Sequence, residues 1–115
     1  MSSWLKNDAR LKVFLSSSCK LLPETKSYNV IGDIRGTIHP DEVIMVGGHL
    51  DSWDIGQGAH DDGTGIVQSI EVLRLFKALG IKPSHTIRMV AFMDEEYGQT
   101  GAKVYADESK RRVSG

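Results

Sequence analysis

The rhythm of hydrophobic and polar positions changes several times along the chain. Leu11–Ser16 and Ser27–Arg35 alternate, the second placing Tyr28, Val30 and Ile34 on one side, and a period of two predicts strands. Val43-Ile44-Met45-Val46 is a continuous apolar run closed by Gly47-Gly48, and Thr86–Met93 is a second one. Runs of this kind predict strands buried on both faces. Between the alternating and continuous segments, Gly36–Glu42 contains Pro40-Asp41 and predicts a turn. A glycine-rich loop spans His49–Gly65. Ile66–Leu79 then reads as a helix, with Ile66, Ile70, Leu73 and Phe76 along one face, Gly80 suited to its C-terminal cap and Pro83 beyond. Thr100 opens a last helix to about Lys110, and the polar tail Arg111–Gly115 carries no structural signal.

Two buried strands joined by a helix predict a right-handed parallel crossover in an α/β domain. Chemistry in such sheets collects beyond the carboxyl ends of the strands. His49 lies just past one buried strand, Glu95 and Glu96 lie just past the other, and Asp61 precedes the connecting helix. Residues far apart in sequence are thus expected at one rim.

Composition narrows the class without naming it. The 115 residues suffice for one domain, and 40% hydrophobic with 25% charged residues is ordinary globular composition. A net charge of −1, with scattered Lys and Arg, offers no footprint for nucleic acid. No stretch approaches the ~18 apolar residues of a membrane helix. Leu11–Leu15 before Ser16–Cys19 has a faint look of an export signal, but Lys12 interrupts it, and it reads as a strand. The expectation is a chain without a visible address, cytoplasmic or clipped. The lone Cys19 leaves the redox compartment open.

Three segments carry candidate chemistry. In Gly47-Gly48-His49-Leu50-Asp51, a carboxylate follows an imidazole by two residues. Metal-bound His commonly donates its other ring N–H to a carboxylate, so Asp51 could hold His49 or act as a ligand itself, although His-x-Asp alone is weak evidence. Gly58–Gly65 places Asp61 and Asp62 at a helix start, where acids are favoured by capping and dipole alone. One of the two could cap while the other coordinates. Asp94-Glu95-Glu96 sets three acids directly after a buried strand, where their repulsion calls for a cation unless the turn is fully solvated. A mixed imidazole and carboxylate shell suits zinc, and clustered acids suit two ions ~3.5–4 Å apart.

The motifs Gly-Gly-His-Leu-Asp-Ser-Trp-Asp, Gly-Ala-His-Asp-Asp-Gly-Thr-Gly and Asp-Glu-Glu-Tyr-Gly, starting at Gly47, Gly58 and Asp94, resemble those of the co-catalytic di-zinc exopeptidases. That family includes bacterial leucyl aminopeptidases and plasma glutamate carboxypeptidase. The resemblance covers about residues 27–106 and looks closest to the carboxypeptidase Q branch, through Leu50, Ser52-Trp53-Asp54 and Thr86-Ile87-Arg88. It implies a three-layer α/β sandwich with a mixed, largely parallel sheet and crossover helices. It further implies His49 as a ligand of one zinc, Asp61 as the carboxylate bridging two, and Glu96 as a ligand of the other. Glu95 falls on the general base, Asp51 on the partner of His49, and the Asp61–Asp62 peptide bond is implied to be cis. The implied substrate is a peptide or dipeptide.

The family uses five protein ligands, and its remaining Asp and His lie well downstream of the Glu-Glu pair. No His follows His85 here, so residues 1–115 are expected to be part of one catalytic domain, inactive alone and prone to self-association through an uncovered sheet face. Members are commonly secreted or periplasmic. Alternatives on the same fold are a glutaminyl cyclase-type zinc acyltransferase and a non-catalytic, receptor-like domain. His39 and His85, in proline-containing turns, read as solvated, and His60 and Trp53 as ordinary loop residues.

Overall fold

The computed structural model of the protein describes residues 12–113. Its elements are β1 (Val30–Ile34), β2 (His39–His49), α1 (Thr64–Ala78), β3 (His85–Phe92) and α2 (Thr100–Val113). The sheet order is β1-β3-β2, with β3 parallel to β2 and antiparallel to β1. The continuous apolar run of β3 therefore takes the centre, where Val90 is wholly buried and Ile87, Met89 and Ala91 nearly so. The other continuous run behaves differently. In β2, Val43, Ile44 and Met45 remain about half exposed, because β2 is an edge strand of the described sheet.

β2 also starts earlier than its sequence suggests. Its register jumps from His39↔His85 to Val43↔Thr86, so the expected turn at Pro40-Asp41 is a bulge inside the strand. A bulge tolerates proline, which has no N–H for the ladder, and Thr86 Oγ1 fixes it by donating to the Pro40 carbonyl at 2.6 Å.

The strand expected at Leu11–Ser16 is absent from its described part. Residues 12–29 carry no regular structure, and Val13, Phe14 and Leu15 are exposed. Alternation marks a face, but a strand also needs a neighbour for its backbone groups, and none pairs there. β1 starts at Val30 rather than Ser27.

α1 lies against one face of the sheet. Ile66 packs with Met89, Ala91, Val46 and Leu73 to form the core. Its buried stripe includes Ser69 rather than Ile70, which is 48% exposed. Ser69 is buried at little cost because its hydroxyl donates to the Gly65 carbonyl at 2.8 Å. Gly80, at φ 65°, ends the helix in the left-handed conformation that glycine adopts freely.

Side chains alternate across a strand, so Arg88 and Phe92 point away from α1, and Tyr105 of α2 reaches them on that side. Arg88 reaches the Tyr105 hydroxyl at 3.2 Å, and Phe92 meets the Tyr105 ring edge-on at 5.7 Å. α2 extends beyond Lys110 through Arg111 and Arg112 to Val113, where cations suit a helix C-terminus. Helix, sheet and helix make three layers of an α/β fold, with parallel strands β2 and β3 ending at one rim.

Candidate metal centre

β2 and β3 finish in register, His49 opposite Phe92, and three loops leave from that rim. Asp94, at φ 64°, occupies a left-handed conformation that aspartate tolerates better than most residues. That bend follows Met93 and turns Glu95 and Glu96 back towards β2. Asp94 then accepts from Thr100 N at 3.4 Å, at the start of α2.

The two adjacent acids of the middle loop divide their work. The Asp62 carboxylate accepts from Gly65 N at 3.0 Å, at the start of α1, and from His49 N at 3.2 Å, at the end of β2. It clamps helix to strand. A Cβ on Gly48 or Gly65 would collide with this carboxylate, which explains both glycines. Asp61 is thereby turned outward, with Oδ1 3.0 Å from His49 Nε2, and the Asp61–Asp62 peptide bond is cis.

One donor atom each from His49, Asp61 and Glu96 lies within 4.8 Å of the others. Glu95 stands beside them, with Oε2 3.9 Å from His49 Nε2. These residues come together, along with the nearly buried imidazole of His49, while Asp61 keeps its side chain 74% exposed. A cavity of about 490 Å³ opens above them, lined by Gly47, Gly48, His49, Asp61, Asp62, Phe92 and Glu95.

Asp51 holds this arrangement in a manner its spacing does not reveal. His49 Nδ1 donates to the main-chain carbonyl of Asp51 at 2.9 Å, whereas the Asp51 carboxylate stands 3.7 Å away. That carboxylate instead accepts from Glu95 N at 3.0 Å and Glu96 N at 3.1 Å. Asp51 therefore fastens the acidic turn to the β2 loop and orients the ring through its backbone.

The donor chemistry fits a cation. Nδ1 must carry the ring proton, because a carbonyl only accepts. In neutral His49 the Nε2 lone pair would then face the Asp61 carboxylate, an unfavourable meeting unless a proton or a metal ion lies between. Burial alone would lower the pKa of His49. The bond to the Asp51 carbonyl, the Asp61 carboxylate and the charges on Asp51 and Glu95 outweigh it and hold the pKa above its ordinary value. For Asp51, burial raises the pKa, but the N–H groups of Glu95 and Glu96 prevail and keep it below the usual carboxylate range.

Fold and rim together define an α/β three-layer protein with an imidazole–carboxylate cluster at the carboxyl ends of parallel strands. Comparison with known proteins narrows the class. Residues 29–114 match the model of peptidase family M28, and the chain belongs to that family. It is 42% identical over 114 residues to carboxypeptidase Q of Mus musculus, covering 99% of this chain and 24% of that protein. It is 47% identical over 92 residues to carboxypeptidase Q of Xenopus laevis, covering 80% of this chain and 20% of that protein. The crystal structure of a peptidase M28 precursor from Shewanella amazonensis SB2B superposes with a TM-score of 0.69 at 42% identity, covering 78% of this chain and 20% of that one. The kinship read from the three motifs, including the carboxypeptidase Q branch, thus stands, and the chain spans about a quarter of the length of its mammalian relatives.

Proposed function

We propose that this chain supplies part of the active site of a zinc-dependent exopeptidase, an aminopeptidase or dipeptidase. One observation carries the reading: His49, Asp61 and Glu96 place an imidazole nitrogen and two carboxylate oxygens within 4.8 Å, beside Glu95. Membership in a peptidase family, and relatives named carboxypeptidase Q, support it.

His49 and Asp61 would hold one zinc ion, and Asp61 and Glu96 a second, with Asp61 shared. When bound, such a pair supplies Lewis acidity that polarises a peptide carbonyl and lowers the pKa of a shared water towards ~7. The residues of this chain contribute orientation and proton transfer. The Asp51 carbonyl keeps the proton on His49 Nδ1, leaving Nε2 to coordinate. The Asp51 carboxylate fixes the backbone of both glutamates, so that Glu96 can bind metal while Glu95 remains free. Glu95 takes the proton of the attacking water on its carboxylate and passes it to the leaving amine. Residues of a longer protein would complete the ligand set, and the 115 residues alone would bind zinc weakly and show no turnover.

The test is a zinc titration of this chain, and of its His49→Ala and Glu96→Gln variants, followed at the backbone amides of Asp51 and Glu95 beside the cluster, with dipeptide hydrolysis by the full-length protein with and without a chelator. The reading expects each variant to weaken zinc binding by about tenfold or more, as loss of a ligand must when outer partners alone cost ~10–100-fold. It also expects the chelator to stop hydrolysis. Unchanged zinc affinity in both variants, or full hydrolysis in chelator, defeats it.

A further inference from the structure

A second cluster of metal-binding side chains lies at the other end of the same two strands. His39 opens β2 and His85 opens β3, and the two are direct partners across the parallel ladder. Glu42, displaced outward by the bulge, stands between them. Its Oε2 is 3.2 Å from His85 Nε2 and its Oε1 is 3.7 Å from His39 Nδ1. The two imidazole rings lie 5.0 Å apart, centre to centre. None of the three takes part in the centre around His49.

We propose that His39, Glu42 and His85 form a second transition-metal site, separate from the one at the carboxyl rim. Two imidazoles and a carboxylate are a donor set suited to zinc, nickel(II) or copper(II) rather than to magnesium or calcium. With metal–donor bonds of ~2.0–2.2 Å, the donors of one site stand ~3–4 Å apart, and the two contacts to Glu42 already do. The three donors do not yet share the 4.8 Å spacing that the His49 cluster meets, and a turn of the half-exposed His39 ring would bring its nitrogen in.

The framework around these donors is fixed. The Ser84 hydroxyl bonds His85 Nδ1 at 3.0 Å and holds Nε2 towards Glu42; metal binding would move the ring proton from Nε2 to Nδ1, where the hydroxyl can turn to accept it. Thr86 Oγ1 pins the bulge at Pro40. The amides of Ile38 and His39 both bond the Ser84 carbonyl, at 3.1 and 2.8 Å. Donors carried on paired strands hold their spacing better than donors on a free loop.

The test is a zinc titration of this chain followed by the ring signals of its histidines in proton–nitrogen spectra. His39 and His85 are expected to shift together on one isotherm, distinct from that of His49. Glu42→Gln, an isosteric change at an exposed side chain, should weaken the shared isotherm by at least about tenfold, the loss that even an outer partner causes, and leave the His49 isotherm in place. His39→Gln should abolish the response of His85. Separate isotherms for His39 and His85, no response of either ring, or a shared isotherm indifferent to Glu42→Gln would overturn the proposal.

Discussion

Replacing Asp51 by asparagine separates what its side chain does from what its backbone does. The carboxylate is 14% exposed and accepts two backbone N–H bonds, from Glu95 at 3.0 Å and Glu96 at 3.1 Å. Hydrogen bonds to a charged group are worth ~1.5–3 kcal/mol each. Asparagine keeps one acceptor oxygen and turns an NH₂ towards the other amide, so one bond is lost and two donors confront each other. Urea unfolding at neutral pH without metal should therefore show a loss of about 2–3 kcal/mol. The folded-state pKa of Asp51 is depressed, so the stability it contributes is present above its unfolded value of ~3.9 and is lost as pH falls through the folded value. The gap between parent and variant should close at low pH. Meanwhile His49 Nδ1 bonds the carbonyl of residue 51, which survives the substitution. Its ring nitrogen spectrum should keep the Nδ1–H form, while amide exchange at Glu95 and Glu96 accelerates. A change in the His49 ring form with unaltered exchange at both glutamates would refute this division and restore the direct carboxylate–imidazole pairing suggested by sequence spacing.

Metal affinity should rise with pH through the His49 titration and then level, because binding at Nε2 displaces a proton whose pKa is raised; calorimetry in buffers of different ionisation enthalpy would count that proton, and zero release contradicts the assignment. In the metal-free chain the same raised pKa has the opposite sign, contributing stability below the unfolded value of ~6.5 that fades as pH rises through the folded one. Arg88 grips Asp33 through two bonds, at 2.7 and 2.6 Å, between paired positions of β3 and β1. Arg88→Lys should cost up to about 1 kcal/mol in urea unfolding, the scale of a partly exposed pair that loses its fork, and no loss would show the pair to be ornamental. The half-exposed edge of β2 should drive self-association of the isolated chain, which Ile44→Lys should reduce in sedimentation velocity; a monomer at all concentrations would argue against an open edge.

Much of the fold was legible because burial and periodicity agreed. Thr86–Met93 had the continuous apolar character of a central strand and became one, ending at Phe92. Ile66–Leu79 became α1, shifted two residues earlier at its start. The failures arose where a neighbour, not the segment, decides. Val43–Val46 is as apolar as β3 yet lies at an edge, and Leu11–Ser16 alternates without a partner in its described part. Pro40 looked like a turn because the hydroxyl that stabilises its bulge comes from Thr86, 46 positions away. The site shows the same limit. Spacing brought His49, Asp61, Glu95 and Glu96 to one rim, but two adjacent aspartates are chemically alike, and only packing of Asp62 against Gly48 and Gly65 tells the clamp from the outward-facing acid. His39 and His85 read as solvated turn residues because their pairing is a matter of register, which lies outside local sequence.

The most direct test of the central claim uses Glu95→Gln in the full-length protein, measuring bound zinc and dipeptide hydrolysis on the same sample. Glu95 stands beside the donor cluster and outside it, so the substitution should leave zinc content unchanged and lower kcat by ~10²–10⁴-fold, the usual contribution of a general base. Hydrolysis within a factor of a few of the parent, with zinc still bound, would contradict the account.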